Sequence, residues 1–145
     1  MNKFVKGSNK LTKAWAFYDW ANSVYPLVIS TAVFPIYYSS ITSSFANNNG
    51  DISFFGIFWN PTSLYDYTLS LSFLIVAFCS PLLSAIADYT GNKLKFMKFF
   101  CLLGSLSVMC LFFFNGPETL WVALTFTILA SIGFWGSLVF YNAYL

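Results

Sequence analysis

Asp19 lies in the stretch AWAFYDWANSVYP, residues 14–26, where a long apolar run begins. An ionised side chain in hydrocarbon costs on the order of 3 kcal/mol, so a carboxylate there needs a compensating role. On a straight helix at 100° per residue, Trp15, Asp19, Asn22, Pro26, Ser30 and Tyr37 share one stripe, with Ser23 at its edge. The rest of the circumference is mostly aliphatic and aromatic. Such a face belongs against protein or a water-filled path, where it would touch a solute, carry a proton or gate a passage. The same carboxylate would equally serve as a cap or packing partner one turn from the membrane boundary. Asp19, Asn22 and Tyr25 are the candidate solute-facing or gating residues at this end. Asn142, near the other end of the chain, is the fourth, because a fourth span returning to the same side would bring it level with Asp19.

A second constellation is SAIADYTGNKLK, residues 84–95. Asp88 ends an apolar run, Gly91 can supply a turn with positive φ, and Lys93 and Lys95 point toward water. A short acidic–glycine–basic loop lets a carboxylate hold one packed state through charged hydrogen bonds and release it in another. It also reads as an ordinary cytoplasmic turn. Asp88, Gly91 and Lys93 are the candidate conformational switch. No histidine occurs, and neither a cluster of metal ligands nor a nucleophile–base pair is visible. Catalysis, a metal site, a cofactor and nucleic-acid binding are therefore not expected.

The elements that must position these residues follow from composition. Of 145 residues 58% are apolar, 22% aromatic and 8% charged, against about 25% charged in soluble domains. Four stretches are long enough for spanning helices of about 20 apolar residues. The expected architecture is all-α and integral to the membrane. Its division is a cytoplasmic N-terminus 1–14, spans at 15–41, 67–87, 96–114 and 120–141, outer loops 42–66 and 115–119, a cytoplasmic motif loop 88–95 and a cytoplasmic end 142–145.

Net charge of +2 matters less than its distribution. Lys3, Lys6, Lys10 and Lys13 precede the first span, and Lys93, Lys95 and Lys98 flank the second and third. The other two loops carry Asp51, Asp66 and Glu118 without a lysine. By the positive-inside rule the N-terminus and the second-to-third loop are cytoplasmic. The first apolar run exceeds a signal-peptide core and shows no clean cleavage site, so it is a retained span. Cys79, Cys101 and Cys110 fall inside spans and are expected to be packing residues. Pro26 and Pro35 each remove a backbone donor from the first span. The segment ISFFGIFWNP, residues 52–61, is too short to span and aromatic enough to lie at the outer interface. Pro61 after Asn60 rules out glycosylation there. In the fourth span Gly133, Gly136 and Ser137 form a small-residue patch for close helix approach, while Ser131, Trp135, Leu138 and Asn142 lie on another face.

The loop after Asp88 resembles the Gly-x-x-x-Asp-Arg-x-Gly-Arg-Arg signature of major facilitator superfamily transporters. Asp88, Gly91 and Lys93 match in register, while Ser84, Tyr89 and Asn92 depart from it. FYDWANSVYPLVISTAVFPIYY, residues 17–38, is similar to the opening helix of the vacuole-effluxer-like branch of that superfamily. SPLLSAIAD and GFWGSLVFYNAYL resemble its second and fourth helices. The resemblance implies a twelve-helix, alternating-access transporter related to exporters of amino acids from the fungal vacuole. Four spans are two thirds of one six-helix half, so the expectation is an N-terminal fragment whose partners are lipid, a small solute and the remaining helices. The fourth span lacks the arginine that many proton-coupled members carry, which leaves Asp19 as the candidate for proton coupling. The competing expectation is a noncatalytic four-helix membrane protein or inactive remnant. The prevalence of similar bacterial chains points to a bacterial inner membrane.

Overall fold

The computed structural model describes residues 9–142. Among the described residues four helical stretches are long and apolar enough to cross a membrane: Thr12–Phe45, Pro61–Ile86, Lys93–Phe113 and Pro117–Asn142. The protein is an all-α integral membrane protein. The chain divides between Ile36 and Tyr37 into two compact units.

In the first unit, helix α1 (Asn9–Asn22) gives way after Ser23 to a π-helical segment, Pro26–Thr31, before α2 starts at Val33. The break has a chemical cause. Pro26 lacks an N–H, and the Thr31 hydroxyl donates to the carbonyls of Pro26 at 2.9 Å and Leu27 at 3.2 Å. The Ala32 amide reaches back five residues to Leu27 O, 3.1 Å, which is the wider π turn. Ser23 adds a hydroxyl bond to Trp20 O, 2.7 Å. From Pro26 onward the π turn lags the 100° phase of a straight helix, so the polar stripe drawn from Trp15 does not keep its register through this segment. Pro35 does less than expected. It is the third residue of α2 (Val33–Phe45), where the amide has no intrahelical partner to lose.

In the second unit, the loop after α2 closes on Asn47, whose Oδ1 accepts the amides of Asn49 at 3.0 Å and Asp51 at 2.8 Å. The aromatic segment beyond it forms a β-hairpin. Strand β1 (Ile52–Phe54) pairs antiparallel with β2 (Ile57–Trp59) in the register Ile52↔Trp59, Ser53↔Phe58, Phe54↔Ile57. Phe55 and Gly56 form the turn with φ of 52° and 76°, the positive pair that a type I′ turn requires.

Helix α3 (Pro61–Thr90) starts six residues before the apolar run expected at 67. Asn60 is its N-cap, accepting the amides of Thr62 at 3.1 Å and Ser63 at 3.3 Å, with proline at the first helical position. That pairing of cap and N1 proline is a strong start signal. Asn60→Ala should cost about 1 kcal/mol locally, a roughly fivefold faster hydrogen exchange at Thr62 and Ser63; unchanged exchange would show that the cap does not hold this end.

Helix α5 (Leu120–Asn142) is the most buried, and it packs against α4 (Lys93–Cys110) and, less extensively, against α3. Small residues permit the close approach. Gly104 of α4 faces Gly133 of α5, and Gly136 receives the ring of Phe100. Phe100 and Phe96 both stack on Phe140, with centroids 5.8 and 5.4 Å apart. Buried hydroxyls return to their own helices, as in Ser107 to Leu103 O and Ser137 to Phe134 O, both 2.7 Å. Such back-bonding satisfies a hydroxyl where water is absent, although the buried Thr127 hydroxyl of α5 makes no such bond. At the opposite end Tyr38 lies between Tyr65 and Phe114, centroids 5.2 and 5.7 Å away, and the Tyr37 hydroxyl donates to Phe114 O at 2.5 Å. Cys101 and Cys110 are half-buried, whereas Cys79 is exposed on α3.

Candidate functional site

The turn between α3 and α4 brings Asp88 and Lys93 together. Gly91 caps α3 in the left-handed region, φ 64° and ψ 12°. A Cβ at Gly91 would meet nothing within 4 Å, so the requirement for glycine is one of backbone conformation, not of space. The reversal sets Lys93 Nζ 2.6 Å from Asp88 Oδ1. Asp88 is 57% exposed and Lys93 29% exposed, and a pair in that setting contributes only about 0–1 kcal/mol.

Its placement carries more information than its strength. Asp88 is in the last turn of α3, where a negative charge opposes the helix dipole, and Lys93 opens α4, where a positive charge does the same. Each residue is in a locally unfavourable position, and each offsets the other. Conflicts between local preference and the whole structure concentrate at functional sites. Of the positions that depart from the signature, Tyr89 is 94% exposed and Asn92 is the N-cap of α4 without a side-chain capping bond; Ser84 is half-buried.

The first unit presents Asp19 exposed and Asn22 half-buried, three residues apart on α1 and so on one face. Tyr25 is half-buried beyond the Ser23 turn and immediately precedes the π segment. In the second unit Asn142 is the exposed last residue of α5. Among the described residues no three His, Cys, Asp or Glu side chains converge as a metal site would need. Lys95 lines an open crevice between α3 and α4 with Leu83, Asn92, Phe96, Phe99 and Phe100. No spacing signal marks it, since the crevice is formed by residues of two helices brought together in the fold.

Residues 7–145 match the family model described as "Vacuole effluxer Atg22 like". The chain belongs to that family. This Atg22-like chain is 38% identical over all of its 145 residues to the uncharacterized MFS-type transporter YxiO of Bacillus subtilis (strain 168), of which it spans 31%. It is 39% identical over 90 residues, 62% of its length, to Autophagy-related protein 22 of Coccidioides immitis (strain RS), of which the match covers 15%. No solved structure matches the Atg22-like chain. The turn joining Asp88 to Lys93 and the face bearing Asp19 and Asn22 both lie within the matched residues.

Proposed function

We propose that this chain forms part of a secondary transporter that moves a small solute, with an amino acid as the favoured class, by alternating access. The carrying observation is the Asp88–Lys93 pair, held at 2.6 Å across a glycine turn and exposed to solvent. It joins two spanning helices with little intrinsic stability, as suits a contact that forms in one state and breaks in another. Family membership and the transporter so named among its relatives support the reading. Further helices, as in a relative of which this chain spans 31%, would complete the pathway between two bundles.

In this reading Asp19, Asn22, Tyr25 and Asn142 face or gate the solute path, and Asp19 is the residue available to carry a coupling proton. The lysine distribution favours a cytoplasmic N-terminus, and the bacterial relative supports a bacterial inner membrane. Asp19→Asn, placed at the corresponding position of a full-length family member, is expected to lower solute flux in proteoliposomes roughly tenfold or more while membrane insertion is unchanged. Equal flux at equal insertion would remove Asp19 from the mechanism.

A further inference from the structure

The crevice between α3 and α4 has a volume of about 490 Å³ and is lined by Leu83, Asn92, Lys95, Phe96, Phe99 and Phe100. Eight residue steps separate Asn92 from Phe100 along α4, so its long dimension is about 12 Å parallel to the helix axis. Its walls beyond Asn92 and Lys95 are one leucine and three phenylalanines. A polar solute entering it would lose hydration with little to replace it.

One flank of the crevice is cationic. Lys95 lines it and Lys98, three residues on along α4, is on the adjoining surface; both are exposed. Lys93 is committed to Asp88, whereas no carboxylate among the described residues pairs with Lys95 or Lys98. The spanning stretch Lys93–Phe113 has 21 residues, about 31 Å against a hydrocarbon core of about 30 Å. The first turns of α4 therefore lie at headgroup level, within the snorkelling reach of both ammonium groups. An apolar slot running into the bilayer under two uncompensated cations matches the two ends of a single amphiphile.

We propose that this crevice binds one anionic phospholipid, with Lys95 and Lys98 on the headgroup phosphate and an acyl segment along Leu83, Phe96, Phe99 and Phe100. The site is independent of the transport reading. Because Phe100 also packs on Gly136 and Phe140, an occupied crevice would brace the contact between α4 and α5.

The test uses the whole chain in phosphatidylcholine vesicles containing a minor fraction of phosphatidylglycerol with a photoreactive acyl chain, labelled sites being read by peptide mass spectrometry. Labelling should concentrate between residues 83 and 100, and the double variant Lys95→Gln, Lys98→Gln should lower it roughly tenfold, to the level of a phosphatidylcholine-borne probe. Both substitutions are at exposed positions, and folding is checked by the unchanged elution of the variant. Equal labelling by the two lipid probes would overturn the proposal. So would full competition by soluble glycerol phosphate, which would mark a headgroup site without an acyl slot, or protection of the crevice by a second copy of the chain.

Discussion

Gly133→Ala is expected to force α4 away from α5 and to lower the thermal stability of the folded chain more than any other single added methyl group. A Cβ at Gly133 would stand 2.5 Å from Gly104 Cα and 2.9 Å from Phe100 O. These are backbone atoms, so no rotamer change relieves the overlap and one helix must move. Overpacking by a methylene costs about 1–3 kcal/mol where side chains can adjust, and this site belongs at the upper end. Replacing glycine within a helix recovers only about 1 kcal/mol of propensity. Gly104→Ala offers the internal comparison. Its Cβ would approach Phe134 N no closer than 3.4 Å, so propensity and strain should nearly cancel. Gly136→Ala would strike the Phe100 ring at 2.6 Å, a movable group, and Phe100→Leu in the same chain should restore part of the loss. Thermal unfolding in detergent, followed by loss of the monodisperse peak, ranks the three variants. If Gly133→Ala melts with Gly104→Ala, the close contact between α4 and α5 is wrong.

The same glycines show how far sequence reading extends. Gly133 and Gly136 declare themselves as a helix-packing patch because they stand together in a span. Their partner Gly104 is a lone glycine among leucines and serines, and nothing local distinguishes it. The four spans are legible because twenty apolar residues have few other fates. The π segment is not, since it depends on the Thr31 hydroxyl taking the Pro26 and Leu27 carbonyls, a choice that periodicity does not encode. The hairpin at 52–59 is not legible, because Phe55–Gly56 lacks the Asn-Gly or Asp-Gly signature of its turn. Asn60–Pro61 is a legible start signal, a cap followed by an N1 proline, and it sets the start of α3 six residues ahead of the apolar run at 67. At the candidate site the spacing of Asp88, Gly91 and Lys93 announces a charged turn. The crevice beneath Lys95 is formed where Leu83 of α3 meets the first turns of α4, and that meeting belongs to tertiary packing alone.

Asp88→Asn should separate stability from function. In this chain the loss of an ion pair with one partner 57% exposed is expected to change unfolding by less than about 1 kcal/mol. In a full-length family member the same change should reduce solute flux roughly tenfold or more if the pair biases one of two states. Exchanging the charges, Asp88→Lys with Lys93→Asp, sharpens the question. The exchange puts a cation at the C-terminus of α3 and an anion at the N-terminus of α4, each favoured by about 0.3–1 kcal/mol through the helix dipoles. The turn should become firmer than the native one. If its work is only to tie α3 to α4, flux in the exchanged variant returns. If its work depends on an Asp88 carboxylate that is poorly placed in one state and released to other donors in the next, the firmer turn transports no better than Asp88→Asn. The second outcome is expected, because a chain that needed only a strong clasp here would have no reason to put both charges at the unfavourable ends of their helices.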